Sequence, residues 1–600
     1  MRSLLTRRAR LPRRLSRPSF GSSIASNSSF SSSNNGDAPP RTSNRRSPNL
    51  SVPLTPAEDS LFSFLEYIQR LYAPETQLRV AGGWVRDKLR GAESEDIDIA
   101  LDNLKGAKFA RLITKFQRVR KLPPSSVGVV KANSDKSKHL EVATVTIEGS
   151  TVDLVHLRAE EYTQDTRVPE VRFATPEDDA TRRDLTINAL FYNLHTRQVE
   201  DFTGKGVEDL KEGIIRTPRE PVQTFLDDPL RVLRALRFAC EFGFTLDPPL
   251  ESAVLGQREI VGAMRRKVSR ERIGIEVRKM LSGKDPARAF EFMRKFDLLE
   301  LVFNDTAGKM GEGDEYEDVG GDNGFKYPPR EWTESVQKRA YHYLNYLQHS
   351  RLALAKCEIS YVESAAAIFT PLFLSEVPVV IPDGTSSLSP QVQDEFHGVT
   401  EQEIVESSLE FLDRREATVA VLNSSEIVEM LKVHVKWPKP AGKRVALIIE
   451  AIATYPEAQQ ELSGSADFGH ASVKHRMKRF MWMTQYHSVI APALSVLTSA
   501  RSFDSKCAAG MTAEEQETML KTSLGLAKSY AKGDGDARKD NASPGRRLDG
   551  KNVQALLGPG ASTDIARALR VLQVWEKVYP SASVEDELAF LDRLAPKLRE

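Results

Sequence analysis

A chain of 600 residues is long enough for several domains and a large core. Its composition, 40% hydrophobic and 28% charged, fits a soluble globular protein, and no apolar run is long enough to span a membrane. The formal net charge of +1 conceals an asymmetry: residues 1–36 hold seven arginines and no acid or lysine, which leaves 77 basic against 83 acidic residues elsewhere. Nucleic acid would therefore be met by a local basic surface, not by bulk charge. Cys240, Cys357 and Cys507 stand in no CxxC or Cys/His spacing, which argues against a disulfide scaffold or a zinc site and for a reducing compartment.

Residues 1–50 are Arg-rich and then Ser- and Asn-rich, with the first acid at Asp37. This composition fits a mitochondrial transit peptide, with a merely disordered basic arm as the alternative, and in either case it stands outside the fold. The first Met after Met1 is Met264, so an internal start could not supply a second form carrying the candidate residues below. A mainly mitochondrial protein is expected. Cytoplasmic and nuclear pools would need inefficient import, a non-Met start or an alternative transcript.

Residues 61–71 (LFSFLEYIQRL) have helical periodicity. Residues 79–101 (RVAGGWVRDKLRGAESEDIDIAL) follow, with a Gly82–Gly83 step at one end and Asp96-Ile97-Asp98 at the other. In a strand, residues two apart share a face, so Asp96 and Asp98 would aim both carboxylates at one point. Like charges held that close repel unless a cation sits between them, and oxygen-rich sites of this kind suit Mg²⁺. Taken singly, the glycines are a turn and the acids a solvated strand face. Together with Arg86 they describe phosphoryl-transfer machinery, in which backbone and guanidinium meet phosphate beside a metal.

Residues 140–158 contain two strand-like runs, EVATVTI and TVDLVHLR, broken at Gly149. Asp153 on the second run is a candidate third carboxylate or a solvated strand acid. Residues 159–180 are polar and Pro-punctuated and read as a mobile loop. Residues 181–193 (TRRDLTINALFYN) read as a helix, with Arg182, Arg183, Asp184 and Asn188 as a polar edge suited to phosphate and ribose, or as a plain capped surface helix. After a turn-rich connector at 201–218, residues 225–244 read as one strong helix with Asp228 as N-cap and Pro229 at its first position.

Arg231 lies three residues beyond Asp228, so both can reach one ligand from one helix face. A carboxylate only accepts hydrogen bonds and a guanidinium only donates them. Cytosine and adenine each present an amino donor beside a ring-nitrogen acceptor, and uracil and guanine present the reverse. An Asp–Arg pair on that edge admits CTP and ATP, and each mismatched polar group costs about 1–3 kcal/mol.

Beyond Leu250 the chain reads helical at 270–281, 286–296, 332–347, 404–411 and 566–579. Inserts near 306–326 and 531–547 read as disordered, and LDGKNVQALLG at 548–558 reads as the start of a helix-turn-helix packing. His470 and His475 read as ordinary polar residues.

Gly82-Gly83-Trp84-Val85-Arg86-Asp87 with Asp96-x-Asp98, then Arg182-Arg183-Asp184-x-x-x-Asn188, then Asp227-Asp228-x-x-Arg231, resembles the motif series of class II CCA-adding tRNA nucleotidyltransferases, in a layout most similar to the eukaryotic, fungal type. The resemblance covers residues 60–300 and implies an α+β fold: a polymerase-β-like head with a mixed sheet at 55–215, a helical neck at 216–300 with a nucleotide-templating helix, and a helical, tRNA-binding body and tail at 301–600. It implies that Asp96 and Asp98 are catalytic and bind Mg²⁺. Gly82, Gly83, Arg86 and Asp87 would lie at the nucleotide and triphosphate end, Arg182, Arg183, Asp184 and Asn188 on ribose and phosphate, and Asp228 and Arg231 as the template for C and A. Asp201, Gly204, Asp209 and Leu210 fall where the family has its head–neck hinge. Asp227 departs from the Glu of many members.

The implied activity is addition of C, C and A to tRNA 3′ ends from CTP and ATP without a nucleic-acid template, by a monomer away from membranes. The alternatives are a specialist adding only CC or only A, or a poly(A) polymerase of the same fold.

Overall fold

The computed structural model describes residues 52–303 apart from Glu95, 131–141, Glu148, 162–169 and Gln257; residues 331–355, 360–374 and 399–455; parts of 477–497; and Leu548 with 550–599 apart from 559–561. The transit-peptide reading of 1–50, both inserts and His470 and His475 lie outside the described residues.

Helix α1 (Pro56–Tyr72) opens with a capping box in which the Thr55 side chain and the Glu58 backbone and carboxylate satisfy each other, and Pro56 occupies the first turn. After it come β1 (Leu78–Ala81), α2 (Gly83–Leu89), β2 (Ile97–Leu101), α3 (Gly106–Val119), β3 (Ser126–Val130), β4 (Val142–Ile147) and β5 (Ser150–His156). The remainder of the head is β6 (Arg158–Glu161), β7 (Glu170–Phe173), α4 (Pro176–Thr181), a 3-10 turn (Thr186–Asn188), β8 (Leu190–Asn193), β9 (Gln198–Asp201), α5 (Gly206–Glu212) and β10 (Ile214–Ile215).

Among the described residues the main sheet has seven strands in the order β3-β4-β5-β2-β1-β8-β9, with β2 and β5 parallel and its other pairs antiparallel. One face carries Val80, Ile99, Val152, Leu154 and Tyr192, which bury against Phe62, Leu65 and Ile68 of α1 and Phe109 and Ile113 of α3. The other face carries the small residues Ala81 and Ala100, which cluster with Leu157, Ala180, Ala189 and Phe191. This is the mixed-sheet head expected from the motifs.

The helical region begins with α6 (Pro221–Asp227) and α7 (Leu230–Phe242), then a short β11 (Thr245–Leu246) that pairs with β10, α8 (Pro248–Gly256), α9 (Arg258–Lys267), α10 (Arg270–Leu281), α11 (Pro286–Lys295) and α12 (Leu299–Phe303). Further described helices are α13 (Glu334–Ala355), α14 (Tyr361–Phe373), α15 (Glu401–Leu422), α16 (Ser424–His434), α17 (Lys439–Ala453), α18 (Gly550–Leu557), α19 (Ser562–Val578) and α20 (Val584–Arg599). One apolar core links these helices, from Leu230 and Leu233 of α7 through Phe290 and Phe369 to Leu594. Among the described residues no helix is long and apolar enough to cross a membrane.

Three expectations change. Residues 181–193 are not one helix: α4 ends at Thr181, and Leu190–Asn193 is a central strand paired with β1 and β9. A strand buried on both faces loses its alternation, and its apolar run then mimics a helical one. Residues 225–244 form two helices, because Pro229 forces Asp228 out of helical geometry, to φ −135° and ψ 97°. The polar stretch 159–180 is not wholly loop: β6 and β7 pair antiparallel, and α4 starts at a Thr175–Asp178 capping box.

Candidate active site

Strand pairing places the acids. Asp98 lies opposite Ala81 of β1 on one side and opposite Asp153 of β5 on the other, and Asp153 lies opposite Thr144 of β4. Asp96 is exposed and immediately precedes β2. Thr144 donates its hydroxyl to Asp153 at 2.6 Å. Burial, with Asp96 and Asp153 beside it, pushes the Asp98 carboxyl up to about 6, while Arg183 and Arg158 oppose that shift. The site thus concentrates negative charge on oxygen donors, the chemistry of a hard divalent cation. Among the described residues no three His, Cys, Asp or Glu side chains converge as a complete metal cage. Two carboxylates fit Mg²⁺ nonetheless, since that ion commonly takes the rest of its shell from water and substrate phosphates.

The glycine step sits directly beside Asp98. Gly82 has φ +74°, a conformation that L side chains rarely adopt, and a Cβ there would lie 2.8 Å from Arg183 Nη1. Glycine therefore makes both the turn and the space for a guanidinium. Helix α2 is fixed to α1 through Glu58, which accepts from Trp84 Nε1 at 2.9 Å and pairs with Lys88 at 3.0 Å.

Asp179 organises the arginine pair. Its Oδ1 accepts from Arg182 and its Oδ2 from Arg183 at 2.8 Å, and Arg183 Nη1 also donates to the Asn188 carbonyl at 3.1 Å. Burial would raise Asp179, but Arg183 and Arg182 hold it down to about 2. Arg86 forks onto Asp87 at 2.9 and 2.7 Å and donates to Asn188 Oδ1 at 2.5 Å. Asn188 Nδ2 in turn donates to Asp184 at 3.1 Å. Asp184 is buried, yet Arg234 of α7, bonded to it at 2.7 Å, keeps it down at about 2.

Asp228 and Arg231 stand at the α6–α7 break. Arg231 is buried and donates to the Thr224 carbonyl at 3.3 Å and the Arg182 carbonyl at 2.7 Å. Asp228 accepts from the Leu230 N–H at 3.3 Å, although Pro229 and not Asp228 occupies the N-cap position. Both Asp228 oxygens also accept from Arg272 of α10, at 3.3 and 2.8 Å. A set of hydrogen bonds and ion pairs therefore joins Arg183, Asp179, Arg182 and Arg231, with Gly82 and Asp98 near Arg183 at one end. Gly83 and Asp87 lie on α2.

Sequence reasoning missed several members of this set. The Asp179–Arg182 and Asp179–Arg183 spacings are legible helical ion pairs. Arg234 and Arg272 carry no local signal, because each sits among other arginines on a helix and only tertiary packing selects it. Phe238 and Phe242, which lie 4.9 Å beneath the Arg86 guanidinium, read only as core.

Residues 78–216 match the family described as Poly A polymerase head domain, and residues 243–310 match the family described as probable RNA and SrmB-binding site of polymerase A. A Saccharomyces cerevisiae protein named CCA tRNA nucleotidyltransferase, mitochondrial, is 45% identical over 263 residues, which is 42% of this chain and 48% of that protein. A Candida glabrata protein of the same name is 47% identical over 234 residues, 38% of this chain and 43% of that one. The chain thus matches about half the length of these curated relatives. The solved Bacillus stearothermophilus CCA-adding enzyme in complex with CTP aligns at a TM-score of 0.48 and 18% identity, over 91% of this chain and 100% of that chain. Residues 78–216, which carry the mixed sheet, are thus similar to a Poly A polymerase head domain. Over some 234 to 263 residues the chain is similar in sequence to these fungal mitochondrial CCA tRNA nucleotidyltransferases.

Proposed function

We propose that this chain adds C, C and A to the 3′ ends of tRNA from CTP and ATP, without a nucleic-acid template, with pyrophosphate as the leaving group. The observation that carries the reading is the hydrogen bond from Arg231 to the Arg182 carbonyl. It couples a base-reading pair on the neck to an arginine pair beside the acidic pair of the head. The names of the yeast relatives support both the activity and a mitochondrial location.

In this reading Asp96 and Asp98 hold Mg²⁺, whose charge offsets the negative charge that develops on the phosphoryl oxygens. Arg183 and Arg86 face the triphosphate, with Gly82 and Gly83 allowing the backbone to approach it. Asp184 and Asn188 orient Arg86 and meet the ribose. Asp228 has about four acceptor sites, three of them taken by Leu230 and Arg272, which leaves one for the amino group of cytosine or adenine. Arg231 uses two of its five N–H donors on carbonyls and keeps others for the ring nitrogen.

The reading is tested by offering tRNA transcripts ending before CCA, in C or in CC, with labelled CTP, ATP or both. Two additions from CTP and one from ATP are expected. Growth by C alone, by A alone or as a run of A would reassign the chain to a specialist or a poly(A) polymerase.

A further inference from the structure

Between Glu429 and Glu450 the sequence MLKVHVKWPKPAGKRVALII holds four lysines, one arginine and one histidine, and no acid. It spans the end of α16, a tight turn and the first half of α17. Val435, Trp437 and Val445 are buried, while Lys432, Lys436, Lys439, Lys443 and Arg444 are exposed. Lys432 pairs with Glu429 at 3.0 Å, and Arg444 donates to the Ser488 carbonyl at 3.1 Å. The side chains of Lys436, Lys439 and Lys443 have no hydrogen bond or ion pair among the described residues.

This turn is firmly seated. Trp437 Nε1 donates to the Gly274 carbonyl of α10 at 3.1 Å, and Tyr361 meets the Trp437 ring edge-on at 4.9 Å. A Cβ on Gly274 would lie 1.7 Å from the Val435 carbonyl oxygen, so only glycine lets the two backbones come this close. On α10, Arg272 and Glu276 flank Gly274 in sequence and project to another side of the helix, where Arg272 grips Asp228 and Glu276 pairs with Arg237 at 2.6 Å. The lysines are therefore held at a fixed distance from the candidate templating residues. Arg278, whose guanidinium lies 6.0 Å over the Tyr361 ring, extends the positive surface onto α10.

Three like charges within eight residues, without an ion pair among the described residues, repel one another wherever they lie closer than the Debye length of about 8 Å at physiological salt. A polyanion with regularly spaced charges relieves that repulsion. The turn's large apolar side chains point inward, so it offers charge with no apolar surface to enter a membrane.

We infer that Lys436, Lys439 and Lys443 form a contact site for the ribose-phosphate backbone of the tRNA substrate, an inference that rests on the reading above. The test uses the full chain with the substitutions K436A/K439A/K443A, a tRNA transcript lacking CCA, and 50 to 200 mM KCl. The log–log dependence of affinity on salt should become shallower by about 2, since each lost phosphate contact removes about 0.7–0.9 from the slope, and binding near 100 mM salt should weaken about tenfold. The KM for CTP should stay unchanged, and K436R/K439R/K443R should retain wild-type binding. An alanine variant with wild-type slope and tRNA KM overturns the inference, as does an arginine variant that binds as weakly as the alanine one. A wild-type chain that binds tRNA in this salt- and lysine-dependent way but adds no nucleotide would instead overturn the functional reading and leave the contact site standing.

Discussion

At the scale of single residues, the account depends on Asp98, Gly82 and Arg183 sharing a few ångströms of space. Asp98→Ala should abolish incorporation of every nucleotide while tRNA affinity, measured by filter binding, stays within about twofold of wild type. Robust incorporation by that variant in Mg²⁺ would remove Asp98 from the site. Arg231→Ala should do two things at once. It removes one hydrogen bond from each of two backbone carbonyls, at about 1.5–3 kcal/mol for a hydrogen bond to a charged group, so the melting temperature falls. It should also admit UTP and GTP at measurable rates relative to CTP and ATP. A destabilised variant with unaltered nucleotide choice would make Arg231 a structural brace and nothing more. The acids, the glycines and the Asp228–Arg231 spacing were legible in the sequence because each chemistry needs its residues close together along the chain. Arg272 and Arg234 were not, since Arg272 is 44 residues from Asp228 and Arg234 50 from Asp184.

At the scale of elements, amphipathic helices and alternating strands were readable, and doubly buried or kinked ones were not. Residues 61–71 lie in α1, and the runs either side of Gly149 are β4 and β5. The apolar run that became β8 kept no period, and the α6–α7 break was signalled only by Pro229, which equally suits a first helical position. That break matters because it turns Asp228 toward Arg272 and lets Arg231 reach back to α4. The turn-rich connector is laced by side-chain hydrogen bonds. Asp201 accepts from Thr203, Gly204 and Val207, and Asp209 is buried with Thr186 and Arg216 on its carboxylate. The pair β6 and β7 follows β5, the strand that carries Asp153. Shortening the polar, Pro-broken stretch 159–180, which lies between the Asp153 strand and residues 182–188, should slow A addition at least fivefold more than C addition if it reshapes the pocket for the larger purine. Equal slowing of both, in single-turnover assays, would count against that role.

At the scale of the whole molecule, head and neck are joined by alternating polar contacts: Asp87 to Arg86, Asn188, Asp184, Arg234 and on to Glu276 and Arg237. The chain of contacts makes stability depend on pH with a defined sign. Asp179 and Asp184 titrate at about 2 when folded, against about 3.9 in an unfolded chain. A depressed folded value stabilises the protein above the unfolded pKa, and this contribution is lost as pH falls from about 4 to about 2. Asp98 moves the opposite way, between about 4 and 6, so the two effects occupy separate windows. Melting temperature should fall steeply below pH 4, and Asp184→Asn should flatten that fall. A parallel curve for the variant would show that Asp184 is not held down by Arg234.

The central claim, that one site joins an acidic pair to a protein template for C and A, is tested most directly by sequencing tRNA 3′ ends after incubation with all four nucleoside triphosphates and Mg²⁺. The account predicts transcripts lacking CCA that acquire C, C and A in that order and then stop. Ends carrying U or G, runs of A beyond the first, or ends that never pass CC would contradict it.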